Sequence, residues 1–249
     1  KAQLKGRRNR YEDTVLLRLH EVVPPGVKVT ILADRGFGDQ HLYALLTDLG
    51  FDFIIRFRGV VLVQSRDGEV RPAHEWVPPN GQTRQLRDAR VTTDRYPVDS
   101  VVCVKARGMK DAWCLAVGGG TRTGATAVKL YARRFTIEET FRDTKDPRYG
   151  LGLSATHVHD VRRRDRLLLI CAMAMTLLTL LGAAGESLGM DRMLKANTVK
   201  TRTHSLFRQG CHYYAAIPAM KRELLEPLVQ RFGEYVLGQS VYVHAFGLK

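Results

Sequence analysis

The spacing of apolar residues changes character along the chain and divides it into segments. Residues 11–23 (YEDTVLLRLHEVV) carry apolar positions at helical intervals and stop at Pro24-Pro25-Gly26, which predicts an amphipathic helix. Residues 27–33 are nearly continuous in apolar and β-branched side chains, the pattern of a buried strand, and Asp34-Arg35-Gly36-Phe37 ends the run. A helix over 39–49 and a second apolar strand over 51–57 follow. Strand, helix and strand at this spacing predict a parallel βαβ unit and an α/β fold class.

Between Gly59 and Gly120 the texture is different. Short alternating runs at 60–64, 91–93, 100–105 and 112–117 are broken by Asp67-Gly68, Pro78-Pro79-Asn80-Gly81 and Arg107-Gly108, which is the turn chemistry of antiparallel hairpins. Beyond Thr126 the pattern is helical almost to the end. The expected organisation is therefore a partial core over 1–58, a β-strand insertion over 59–120, a helical remainder of the core over 121–185, and a C-terminal helical region over 186–249.

Charge adds a partner to this picture. Lys and Arg outnumber Asp and Glu by 39 to 25, a net charge of +14, and such an excess draws a polyanion. The four cysteines, Cys103, Cys114, Cys171 and Cys211, lie far apart with no zinc-ligand spacing, and read as free thiols in a reducing cytoplasm. His157 and His159 have no nearby third ligand. Residues 167–185 (LLLICAMAMTLLTLLGAAG) carry no charge and just reach the length of a membrane span, although a buried core helix accounts for them equally well. Arg162, Arg163, Arg164 and Arg166 precede that run, either as a positive-inside flank or as a DNA-facing turn.

The chemistry-bearing stretch is a helix expected near 128–145, KLYARRFTIEETFRDTK in its main part. In a continuous helix at about 100° per residue, Tyr131, Arg134, Glu138 and Lys145 share a stripe roughly 60° wide, which Arg142 extends. Leu130, Ile137 and Phe141 form a neighbouring apolar stripe expected to anchor the helix, and Glu139 turns toward solvent. An acid and a phenol among several cations suit a polyanion held near a metal, while the plain alternative is an Arg134–Glu138 surface ion pair. Asp34, just past the C-terminal end of a buried strand, stands where open α/β sheets place their sites, with capping of the next helix as its plain alternative. Two carboxylates from different elements can hold hard cations for phosphodiester chemistry.

Tyr131-x2-Arg134-x3-Glu138-x6-Lys145 resembles the tyrosine–arginine–glutamate–lysine signature of the insertion-sequence-four transposases, and ILADRGFG resembles their motif around the second catalytic aspartate. The resemblance covers roughly residues 10–210 and implies an RNase H-like core with a β-rich insertion. It implies a DDE transposase that cleaves DNA at element ends and transfers the strand to target DNA with Mg²⁺, for which Mn²⁺ can substitute. It gives Asp34 and Glu138 as the second and third metal-ligating acids, and Tyr131, Arg134 and Lys145, with Arg35, as DNA-binding residues; Arg142, which extends the stripe, is expected to bind DNA beside them. Trp113 corresponds to an aromatic that receives a flipped base. The resemblance also implies a homodimer in the DNA complex, a buried apolar helix after the glutamate motif rather than a membrane partner, and a cytoplasmic location.

One departure from the family pattern changes the expectation for activity. Only 33 residues precede Asp34, the first Met is Met109, and Asp13 opens a helix instead of standing on a strand. The first catalytic acid and the N-terminal strands of the core are then missing, and the chain is expected to be a C-terminal portion that does not cut DNA alone. Two alternatives stay open: a catalytically inactive DNA-binding remnant, and a membrane-associated basic protein anchored by 167–185.

Overall fold

The computed structural model describes residues 8–120, 122–148 and 150–239. The chain divides into two compact units, Lys1–Thr136 and Ile137–Lys249.

The first unit opens with helix α1 (Arg8–Val22), then strand β1 (Thr30–Ala33), helix α2 (Gln40–Asp48) and strand β2 (Asp52–Phe57). The Asp39 carboxylate accepts from Leu42 N at 3.0 Å and so starts α2, while Gly50 takes the left-handed φ of 67° that turns the chain into β2. β1 and β2 pair in parallel, Thr30 with Asp52 through Ala33 with Ile55, as the βαβ pattern predicts. β1 is shorter than the apolar run at 27–33, because its partner begins only at Asp52, and Val27 is left exposed.

The antiparallel strands predicted for 59–120 form β3 (Leu62–Gln64), β4 (Val70–Pro72), β5 (Thr83–Val91), β6 (Tyr96–Val104) and β7 (Trp113–Gly118). They do not make a layer of their own. β7 pairs with β2, Phe53 opposite Gly118 through Phe57 opposite Cys114, giving one seven-stranded sheet in the order β1-β2-β7-β6-β5-β3-β4. β5 (TRQLRDARV) lies largely outside the alternating runs read from the sequence, because Arg84, Arg87, Asp88 and Arg90 mask its apolar face. One face of the sheet buries Phe53, Ile55, Phe57, Trp76 and Cys103 against Leu42, Tyr43 and Leu46 of α2. The other buries Ile54, Val102, Leu115 and Val117 against Ala127 and Tyr131 of helix α3 (Gly124–Ala132).

The single helix expected over 128–145 is corrected. α3 ends at Ala132, a 3₁₀ turn spans Arg133–Phe135, and α4 (Thr136–Lys145) follows. The constant angular step behind the shared stripe does not hold across that turn, since a 3₁₀ helix has about three residues per turn. The predicted anchoring stripe is interrupted accordingly: Leu130 packs on the sheet, whereas Ile137 and Phe141 are 50% and 54% exposed.

The second unit holds α5 (Val161–Ser187), α6 (Leu206–Ala216) and α7 (Arg222–Leu237). α5 and α6 touch through glycine: a Cβ on Gly182 would overlap the Leu206 carbonyl, and one on Gly210 the Leu178 carbonyl. Leu181, Ala184, Tyr213 and Leu228 close the core there. Beside it Arg202 pairs with Glu186, Gln209 Nε2 donates to Glu186 at 2.7 Å, and the Tyr213 hydroxyl donates to Gln209 at 3.1 Å. The expectation of a buried apolar helix holds only for the second half of α5. Leu168, Leu169 and Ile170 are 42%, 63% and 61% exposed, because the close helix contacts lie at residues 178–185. By length and composition α5 is long and apolar enough to cross a membrane, with a mean hydropathy of 2.4 over its most apolar window, of which 22% is buried. All four cysteines are free, as expected.

Candidate active site

The parallel register that pairs Ala33 with Ile55 carries the next residues, Asp34 and Arg56, to the same end of the sheet. Asp34 has extended backbone, and its carboxylate accepts from Arg35 N at 2.7 Å, which starts the 3₁₀ turn Arg35–Phe37. Asp34 is thus a cap as well as a site candidate, and the cap engages one oxygen only. Gly38 closes the turn where a Cβ would stand 2.9 Å from the Phe57 Cβ, so the ILADRGFG motif lets the turn lie flat on the end of β2. Arg35 itself is exposed on the turn.

Arg56 escaped the sequence reading. Its side chain is 16% exposed and directed by the Ala112 carbonyl, which accepts from Nη2 at 3.1 Å, and by Asp111 at 3.7 Å. The available signal was a cation after the apolar run Phe53–Ile55 of the buried DFIIRF strand, since such a residue is rarely buried without a polar role.

Tyr131 and Trp113 meet on the α3 face of the sheet. Tyr131 is 1% exposed, and its ring makes an edge contact with Trp113 at 4.9 Å and 73°. Its phenol is pushed above the ordinary value of 10.0, chiefly by burial and next by the Asp34 charge, while Arg134 and Arg56 oppose the rise. The phenol therefore lies within electrostatic reach of Asp34, Arg56 and Arg134 together. Trp113 is half-buried and stacks on Phe135 at 6.1 Å, and the Arg134 guanidinium lies 4.5 Å from the Phe135 ring centre. Phe135, 43% exposed, is a second residue the sequence reading missed. Asp34, Arg56, Trp113, Tyr131 and Arg134 thus come together within the first unit. An acid, two arginines, a phenol and a partly open aromatic pair can hold a phosphate and stack a base.

Glu138, Arg142 and Lys145 stand on α4, assigned to the second unit. All three are exposed, and so is Glu139. α4 carries its acids in the first turn and its cations in the last, which suits the helix dipole. Lys145 Nζ lies 5.5 Å from the Phe141 ring centre, and Arg142 is 3.9 Å from Asp143. Thr144 is the buried residue of the helix and contacts Met175 Sδ at 3.1 Å.

Among the described residues no three or more His, Cys, Asp or Glu side chains group as a metal site. The donor chemistry at Asp34 nonetheless suits a hard divalent cation, because its carboxylate makes no ion pair among the described residues and only one oxygen is engaged by the turn. No curated protein matches the chain. A family model described as a transposase DDE domain matches residues 2–177, a stretch that includes Asp34, Arg56, Trp113, Tyr131, Arg134, Glu138 and Lys145.

Proposed function

The chain belongs to the transposase DDE-domain family, and from that premise we propose that it takes part in cutting DNA at the ends of a mobile element and joining the freed 3′-hydroxyl to target DNA, as insertion-sequence-four transposases do, with Asp34 and Glu138 as two of the three acids used. The observation that carries this reading is the cluster at the carboxyl ends of β1 and β2, where Asp34 lies with Arg56 and the Tyr131 phenol. Ligands of open α/β sheets bind at such strand ends. In this reading the sheet and its flanking helices form an RNase H-like core into which the strands from β3 to β7 are inserted.

Asp34 and Glu138 would hold divalent cations, Mg²⁺ with Mn²⁺ as a substitute. The bound ions would supply activation of water and stabilisation of the leaving oxygen. The remaining work falls to the chain's own side chains. Arg56 and Arg134 grip phosphate oxygens, and their fixed forks orient the scissile linkage. Tyr131 keeps its proton, because burial and the Asp34 charge raise its pKa, so the phenol donates to a phosphate oxygen. Trp113 and Phe135 offer an aromatic surface on which an unpaired base stacks. Arg35, Arg142 and Lys145 contact the backbone further along, and a homodimer brings two element ends together.

The test is strand cleavage on element-end DNA in Mg²⁺. In a chain extended to carry the first acid that the resemblance implies, Asp34→Ala and Glu138→Ala should each abolish cleavage while leaving DNA binding largely intact, and Glu139→Ala should cut normally. Cleavage retained by Glu138→Ala and lost by Glu139→Ala would reject the assignment of the third acid. Arg134→Ala and Lys145→Ala should each lower the salt dependence of binding by about one unit of slope. A second reading, DNA binding without cleavage, rests on the two acids, Asp34 and Glu138, that the resemblance assigns where the family uses three. It predicts that no Mg²⁺-dependent nick forms in wild type while the salt-dependent binding remains.

A further inference from the structure

The head of α5 breaks the local rules of helix design. Four arginines, Arg162, Arg163, Arg164 and Arg166, occupy its first two turns, and no acid stands in its first turn. The positive end of a helix dipole disfavours cations, and Arg162 and Arg166 are like charges at i and i+4. Compensation is slight. The Asp160 carboxylate caps the helix by accepting from Arg163 N at 2.8 Å, and Asp165 is exposed. All four arginines are exposed, and none makes an ion pair among the described residues. At about 100° per residue, Arg162, Arg166 and Arg163 share an arc roughly 100° wide, and Arg164 lies about 100° further round. A sequence that keeps an arrangement costly to the free helix keeps it for a ligand.

We infer that the head of α5 is a phosphodiester-binding surface of the second unit, which grips duplex backbone beyond the point where α4 acts. This rests on the reading that the protein handles DNA. Within the second unit, the contact of Thr144 with Met175 fixes the C-terminal end of α4 against the middle of α5. The arginines lie nine to thirteen residues before Met175, which is roughly 14–20 Å along the helix at 1.5 Å per residue. That reach corresponds to about four to six base-pair steps at 3.4 Å each. Phosphates bound there meet the positive helix end as well as the guanidinium forks, so the feature that weakens the free helix strengthens the complex.

The experiment replaces all four arginines with glutamine in the full chain. It measures thermal stability, the salt dependence of binding to a duplex of about three helical turns, and co-flotation with vesicles of phosphatidylserine and phosphatidylcholine. Removal of mutually repelling charges should leave the melting temperature unchanged or raised, while the salt slope falls by about three units, near 0.9 for each phosphate that is no longer neutralised. A lowered melting temperature would make the arginines structural and overturn the inference. An unchanged salt slope would also overturn it, and if vesicle flotation were then abolished, the surface would be a membrane contact. These failures differ from failure of the transposase reading, in which wild type itself binds no duplex or Asp34→Ala and Glu138→Ala cut as well as wild type.

Discussion

In the first unit Asp34, Arg56 and Trp113 stand on neighbouring strand ends, and Tyr131 is 1% exposed among them, whereas in the second Glu138, Arg142 and Lys145 are all exposed on α4. Strand register and aromatic packing hold the first set: the Ala112 carbonyl directs Arg56, and Trp113 and Phe135 flank one another beside Arg134. The second set is ordered mainly by its own helix, which buries Thr144. Groups already locked in place lose little freedom when a ligand arrives, while long exposed side chains must be ordered at that moment. Among the cations, Arg56 of the first unit should therefore govern the rate of the chemical step, and those of the second should govern affinity.

The widest separation between the two comes from Arg56→Ala against Lys145→Ala. With saturating element-end DNA, loss of Arg56 should slow cleavage on the order of a hundred- to a thousandfold, the usual effect of removing one preorganised donor. Lys145→Ala should leave that rate nearly unchanged and raise the DNA concentration needed to reach it. Equal losses of rate in the two variants would break the contrast between a preorganised and an adaptable half.

Stability should divide the units in the opposite sense. Gly210→Ala drives a methyl group into the Leu178 carbonyl where α5 and α6 touch, and backbone cannot move aside as a side chain can. We expect a loss of about 2–3 kcal/mol, typical of overpacking, confined to hydrogen exchange of the second unit's amides. Protection in the seven-stranded sheet should not change. Trp113→Ala should act on both binding and packing within the first unit. It removes the edge contact to Tyr131 and the stack on Phe135, and should weaken binding to an end with an unpaired base by about 1–3 kcal/mol. Trp113→Phe should recover much of that loss. If Trp113→Ala weakens binding equally to a fully paired duplex, Trp113 is packing alone.

Those predictions draw on parts of the molecule that were unequally visible in the sequence. α2 and β2 were legible because caps, turns and apolar runs act locally, and Asp34 was legible because it ends such a run. β5 was hidden, since a strand with one face open to solvent can carry four charges and still pair along its length with β6. Arg56 was hidden for a related reason. Its place beside Asp34 follows from the parallel register, which no single segment encodes. The helix read through residues 128–145 shows the converse error. A uniform period across Arg133–Phe135 predicts one continuous stripe, but the chain there tightens into a 3₁₀ turn and the residues on either side do not keep that step.

The smallest expected effect concerns pH and belongs to the second unit. Hydrogen bonds from Arg202 are the largest cause holding the Glu186 carboxyl below its ordinary value of 4.5; Gln209 and Lys195 act in the same direction and burial opposes them. With the folded pKa below the unfolded one, the unfolded chain binds the proton first as acid is added. The contribution is then present above about pH 4.5 and is lost as pH falls through the folded value. Both partners are partly open to water, Glu186 at 28% and Arg202 at 51%, so the contribution should stay under about 1 kcal/mol. Asp143 in the same unit runs the other way, because burial, its largest cause, raises its pKa, and acid relieves rather than removes its contribution. Comparing wild type with Glu186→Gln isolates the first from the second. Hydrogen exchange of the second unit should show the wild type losing protection faster than Glu186→Gln as pH falls below about 4.5, with the two converging once Glu186 is protonated. Parallel pH curves would mean that the Arg202–Glu186–Gln209 network holds the unit by shape and hydrogen bonding, with no share from the ionised carboxylate.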